Sequence, residues 1–152
     1  MIYVDLDGVL ANFDAWAQQF NPKTDTEYMQ LFIARYNDCF KDLEPIDAGL
    51  KMLERIEAPV ILTAMPNHDE FLETGLEMGL PVHELKRRYE VLRNNKLNWV
   101  SRYIGEVPVI IVPSRKCKVN YAKGNTLIDD YYKNVDDWVS AGGNGILFSR
   151  YV

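Results

Sequence analysis

The first ten residues, Met1-Ile2-Tyr3-Val4-Asp5-Leu6-Asp7-Gly8-Val9-Leu10, set a short apolar run directly against two carboxylates and a glycine. Ile2–Leu6 is rich in Ile, Val and Leu and does not alternate with polar residues, as expected of a strand buried on both faces of a parallel sheet. Period-two alternation then places Asp5 and Asp7 on the same side at the strand's exit. Gly8 permits a tight turn and a close approach of backbone to a ligand. Two carboxylates that close repel each other unless a proton or a cation intervenes, and a bound Mg²⁺ would offset the cost of burying them. Taken alone, the pair is explained equally well by a turn with two solvated aspartates.

Four more runs share the strand character: Val60–Thr63, Val109–Val112, Thr126–Ile128 and Gly145–Phe148, each bounded by Gly, Pro, Asn or Asp. Helical spacing appears between them at Leu50–Ile56, Glu70–Met78, Tyr89–Ile104 and Val135–Ala141, with Pro59 and the Gly142-Gly143 pair as stops. Alternating strands and helices predict an α/β fold, a doubly wound, Rossmann-like, mostly parallel sheet of five strands. One interval departs from the pattern. No strand signal occurs from Phe13 to Ile56, and a second helix start follows the Asn21-Pro22 break near Thr24–Asp25. The expected organisation is an α/β core of residues 1–12 and 57–152, with residues 13–56 as a small helical cap inserted after the first strand. Such a cap would cover the carboxyl edge of the sheet, where open α/β sheets bind ligands.

The bulk properties narrow the function. A chain of 152 residues, 47% hydrophobic and 26% charged, has the profile of one globular domain. With 17 basic and 22 acidic residues and a formal charge of −5, it has no general attraction for nucleic acid. Cys39 and Cys117 have no paired or metal-type spacing, and the start lacks the basic leader of a signal peptide. No stretch approaches the ~18 apolar residues needed to span a bilayer. A cytoplasmic protein with no membrane partner is expected.

Three further segments join the first. Leu127-Ile128-Asp129-Asp130 again ends an apolar strand in acids. All strands of a parallel sheet end on one side, so these acids can meet Asp5 and Asp7, although Asp129 and Asp130 would also serve as helix caps. Carboxylates without His or Cys form a hard oxygen site suited to Mg²⁺ rather than zinc. Val60-Ile61-Leu62-Thr63 ends in a hydroxyl that can donate to a phosphoryl oxygen, and Ala64 follows it. A cation is also needed to hold a phosphate, and Arg115, Lys116 and Lys118 compete for that role.

Together, D-x-D-G-V at residues 5–9, a strand ending in Thr63, Lys118 three residues before Tyr121-Ala122, and Leu127-Ile128-Asp129-Asp130 resemble the four motifs of the haloacid dehalogenase-like superfamily, in the same order. The likeness extends over nearly the whole chain. I-L-T-A-M-P at 61–66, Leu97-Asn98-Trp99-Val100 and Trp138 with A-G-G-N-G-I at 141–146 are similar to the 5′(3′)-deoxyribonucleotidase branch and its small bacterial and phage relatives. The resemblance implies that Asp5 attacks phosphorus and that Asp7 protonates the leaving alkoxide and later activates water. It further implies that Asp5, the Asp7 backbone carbonyl and Asp129 hold Mg²⁺ with help from Asp130, and that Thr63 and Lys118 bind the phosphoryl group. An alkoxide needs a proton to leave and a halide does not, so a carboxyl group at Asp7 favours phosphate esters over haloacids.

Weaker signals complete the reading. Tyr28, Phe32, Tyr36 and Phe40 recur every four residues, as an aromatic stripe on one cap helix would. The stripe is either a packing face or a platform for a nucleobase, which makes Tyr28, Phe32, Tyr36 and Ala64 candidate substrate contacts. Lys86, Arg87, Arg88, Arg93 and Lys96 read as a solvated helix face, or as a dock for a polynucleotide end. His68 and His83 have no metal-ligand spacing, and Gly142–Gly145 is a turn rather than a phosphate loop. The expected function is hydrolysis of a small phosphate ester, a (deoxy)nucleoside monophosphate first. Other small esters, nucleic-acid 3′-phosphate ends and a non-catalytic binding module are the alternatives.

Overall fold

The computed structural model describes residues 1–150. Five strands, β1 (Ile2–Val4), β2 (Val60–Ala64), β3 (Val109–Val112), β4 (Thr126–Asp129) and β5 (Asn144–Leu147), form one sheet. Every pairing is parallel and the order is β3-β2-β1-β4-β5, so the expected fold class holds and the sheet is wholly rather than mostly parallel. From β1 the chain winds outward through β2 and β3, then crosses back to start again at β4. The carboxyl end of β1 is therefore the topological switch point, where the crevice of a doubly wound sheet opens.

The central strands β2, β1 and β4 are largely buried on both faces, each face covered by its own layer. The expectation fails at edge strand β5, where Ile146 and Leu147 are exposed because only one neighbouring strand flanks them. Val4, Ile61 and Ile128 point into a core shared with α1 (Phe13–Gln18), α2 (Asp25–Ala34), α4 (His68–Glu77) and α5 (Val82–Tyr103). Tyr3, Val60, Leu62 and Leu127 point the other way, onto Ala122, which ends the 3₁₀ segment Arg115–Tyr121, and onto Trp138 of α6 (Tyr132–Ser140). The same alternation decides which layer each functional side chain meets.

After β1 the chain coils about one carbonyl: the N–H groups of Val9, Leu10 and Ala11 approach the Leu6 oxygen at 3.3, 2.9 and 3.0 Å. The excursion that follows closes on itself. Ala11 bridges Pro45 in antiparallel fashion, Asn12 N–H donates to Glu44 O at 2.8 Å, and Ile46 N–H donates to Leu10 O at 2.8 Å. The 13–56 interval thus has two parts, a closed helical excursion holding α1 and α2, and α3 (Asp47–Glu54) on the crossover to β2. Gly49 lets α3 lie against the loop, since a Cβ there would stand 1.7 Å from the Val9 carbonyl oxygen.

α2 begins at the expected place: Thr24 caps it, and Glu27 reciprocates in a capping box. It ends at Ala34, so the expected four-member stripe on one helix is corrected. Tyr28 and Phe32 lie on α2, whereas Tyr36 and Phe40 lie beyond it, with Phe40 in the left-handed region at φ 64°. α5 fastens the excursion to the core. Trp99 Nε1 donates to Leu43 O at 2.8 Å, Asn95 Nδ2 to Tyr36 O at 3.0 Å and Cys39 O at 3.1 Å, and Arg88 to Ile33 O at 3.1 Å. Among the described residues no helix is long and apolar enough to cross a membrane.

Candidate active site

Regular pairing in β1 stops at Val4, although Asp5 N–H still donates to Ile128 O at 2.9 Å. Asp5 keeps the phase of Tyr3, and Asp129 keeps that of Leu127, so both carboxylates face the layer of the 3₁₀ segment and α6. Lys118 of that segment bridges them, its Nζ at 2.8 Å from Asp5 Oδ1 and 2.9 Å from Asp129 Oδ2. Asn134 Nδ2 on α6 and the Tyr131 N–H donate to the two oxygens of Asp129 at 3.1 and 2.9 Å. Arg115 NH1 in turn lies 3.2 Å from both Asn134 Oδ1 and Asp137 Oδ2. Of the three competing cations, Lys118 reaches the carboxylates, Arg115 braces α6 and Lys116 stays exposed.

Asp130 completes an acidic group. One oxygen from each of Asp5, Asp129 and Asp130 falls within 4.8 Å of the others. Gly8 makes room for it: φ is +88°, and a Cβ would lie 2.0 Å from Asp130 Oδ2. Burial, then the Asp129 carboxylate, pushes the Asp5 carboxyl well above its ordinary range despite Lys118. The same two causes raise Asp130 to about 6. Burial disfavours the Lys118 ammonium, but Asp5 and Asp129 outweigh it and hold the pKa above its usual value. If all three ionise, the carboxylates exceed the one ammonium by two negative charges, which is why the free site holds protons, and every donor is oxygen. This chemistry fits a hard divalent cation such as Mg²⁺.

Asp7 goes elsewhere. Thr63 keeps the phase of Ile61 and faces the opposite layer, where α5 carries Lys96, fully buried. Lys96 Nζ lies 2.6 Å from Asp7 Oδ2, 3.0 Å from Thr63 Oγ1 and 3.0 Å from the Ala64 carbonyl oxygen. The expectation that Asp5 and Asp7 share one side by strand alternation is thereby corrected. The strand has already given way to the Leu6 coil, and the two carboxylates are held by lysines from opposite layers.

A cavity of about 480 Å³ opens beside Asp7. Phe13, Phe32 and Phe40 line it together, the Phe13 ring centroid 5.8 Å from that of Phe32 and 5.6 Å from that of Phe40. Ala64, Met65, Pro66, Ser114, Arg115 and Lys116 also line it. Of the expected substrate contacts, Ala64 and Phe32 line this cavity. Tyr28 packs instead on Phe13 at 6.4 Å, and Tyr36 lies under the guanidinium groups of Arg87 and Arg88, at 5.2 and 4.6 Å.

Of the five basic residues at 86–96, Lys86, Arg87 and Arg93 are exposed as a solvated face requires, and the reading is corrected at Lys96 alone, which is buried. Arg87 and Arg88 pair with Glu84 and clamp the excursion, and Lys96 is in the site. Its signal was available: Lys96 stands four residues after Leu92 and three before Trp99, on the buried stripe of the helix. Phe13 and Asn134 were missed without such a signal, because only tertiary packing brings them in. No protein-family model matches this sequence and no curated protein matches it.

Proposed function

We propose that the chain is a Mg²⁺-dependent phosphomonoester hydrolase of the haloacid dehalogenase-like superfamily, working through an aspartyl-phosphate on Asp5. The observation that supports this best is the arrangement at the carboxyl edge of β1 and β4, where Lys118 ties a buried Asp5 to Asp129 beside Asp130. An Asp5 oxygen attacks phosphorus as the P–O bond to the leaving group breaks, and the Asp7 carboxyl gives its proton to the departing alkoxide. Water then attacks the phosphoryl group, Asp7 takes its proton, and cleavage of the P–O bond to Asp5 frees inorganic phosphate. Lys118 and the Thr63 hydroxyl hold the phosphoryl oxygens. Asp5, Asp129 and Asp130 would hold Mg²⁺, which when bound would supply charge neutralisation for nucleophile and phosphate.

The substrate side of the proposal is a small soluble ester met in the cytoplasm, a (deoxy)nucleoside monophosphate first. Three phenylalanines in the cavity beside Asp7 suit a stacked base. Support for polynucleotide ends weakens, since Arg87 and Arg88 are already paired with Glu84 and Lys96 is buried against Asp7. Phosphate release should be measured from nucleoside 5′- and 3′-monophosphates and a phosphorylated oligonucleotide, with Mg²⁺ or EDTA. Magnesium-dependent release from nucleotides that Asp5→Asn abolishes is the expected result. Release from the oligonucleotide alone would move the substrate to nucleic-acid ends, and silence on every ester, an aryl phosphate included, would favour a binding module.

A further inference from the structure

We propose that Lys96 is a positioning residue that holds the Asp7 carboxyl group, through Oδ2, and the Thr63 hydroxyl in register for phosphoryl transfer, leaving Asp7 Oδ1 as the oxygen that carries and takes up the proton; the inference rests on the phosphomonoesterase reading above. Its place in the fold does not call for a charge. Leu92, Trp99 and Val100 share the buried face of α5, and a methionine would fill the same space. Sealing an ammonium there at 0% exposure is costly unless every proton has an acceptor.

Every proton has one. An ammonium has three N–H donors, and Lys96 Nζ has three oxygen neighbours within 3.0 Å, on Asp7, Thr63 and Ala64. With none to spare for a phosphoryl oxygen, Lys96 acts through its partners. Donation into Thr63 Oγ1 occupies a lone pair and leaves that hydroxyl's own proton to be given onward. For Asp7 the hold is sharper. Its Oδ1 has no hydrogen-bond partner among the described residues, so the side chain is anchored through Oδ2 and Lys96. The excursion seals this joint: the Phe40 ring centroid lies 4.1 Å from Nζ, at a residue whose φ of 64° is unusual for a phenylalanine. Phe40 also lines the cavity, so one side chain touches both the joint and the space where the ester would lie.

The reaction offers a readout that general loosening of the core would not move. An alkyl phosphate needs a proton on its leaving oxygen, whereas an aryl ester with an acidic phenol departs without one. We would measure kcat/KM with Mg²⁺ for a primary alkyl phosphate and for p-nitrophenyl phosphate, in wild type, Lys96→Met, Asp7→Asn and the double variant. Lys96→Met should lose about 10²-fold on the alkyl ester, the scale of a misplaced catalytic group, and far less on the aryl ester. The double variant should be no slower than Asp7→Asn on the alkyl ester, because the two residues work as one unit. Equal losses on both esters, or losses that multiply in the double variant, would overturn the assignment. Should Lys96→Met fail to melt cooperatively, Lys96→Gln keeps two N–H donors and should show the same selectivity for the alkyl ester. An active wild type, a silent Asp5→Asn and an unselective Lys96 variant would sink this assignment alone. A wild type silent on both esters would sink the phosphomonoesterase reading beneath it.

Discussion

The carboxyl edge of the sheet and the buried face of α5 meet at one site but contribute to it in opposite ways. The sheet edge concentrates like charge: Asp5, Asp129 and Asp130 converge because parallel strands end together, and one lysine cannot balance them. α5 is the reverse, a satisfied layer in which Lys96, Asn95 and Trp99 each spend their donors on fixed acceptors. One region gathers like charge that a proton or a bound cation would offset, and the other holds the excursion and the Asp7 joint in place. A site of this kind needs both, since strong fields act on a substrate only if the groups making them stay put.

The largest expected effect breaks the sheet edge. Asp5→Asn should lower Mg²⁺-dependent phosphate release by about 10³-fold or more, as loss of a nucleophile does, while circular dichroism stays that of the wild type. A change confined to α5 comes next and should act on stability instead. Asn95→Ala strips donors from the Tyr36 and Cys39 carbonyls, and an abandoned buried acceptor costs about 1–3 kcal/mol. Urea unfolding measures it, and an unchanged midpoint would mean that α5 does not fasten the excursion.

The contrast sharpens with pH and metal. Asp130 is raised from 3.8 to about 6, and Asp5 is raised too, so the folded form binds more protons than the unfolded one. Stability without metal should therefore fall as pH rises through about 4 to 6, giving a higher melting temperature at pH 5 than at pH 8 in EDTA. Mg²⁺ should raise the melting temperature at pH 8 and do little at pH 5, where protons already occupy the oxygens. Asp130→Asn should flatten the pH trend. The smallest effect belongs to the rim of α5. Glu84 is depressed to about 2 by its bonds from Arg87 and Arg88, so its contribution should persist above pH 4 and fade only below it. Glu84→Gln should barely shift the melting curve at neutral pH, because exposed pairs are screened.

Legibility followed the same divide. The five strands, the excursion after β1 and the capped start of α2 were all visible as runs, breaks and capping residues, since these are short-range properties of the chain. Asp129 and Asp130 were legible because the sheet's topology follows from the alternation of strand and helix. Lys96 was misread by charge content alone, when its place between Leu92 and Trp99 put it on the inner stripe. Tyr36 and Phe40 were misread by a four-residue rhythm that ran past the end of α2 at Ala34.

The sequence by itself determined the order of strands and helices, and with it the gathering of acids at one edge, because apolar runs and their stops dictate burial locally and parallel pairing does the rest. Only the tertiary structure decided which cation serves which carboxylate. Asp5 faces Lys118 and Asp7 faces Lys96 because the chain leaves the pleat at Leu6 and turns at Gly8, and the two layers then present their lysines from opposite sides. Pairing across 113 and 89 residues of chain depends on how layers pack, and no local pattern encodes it.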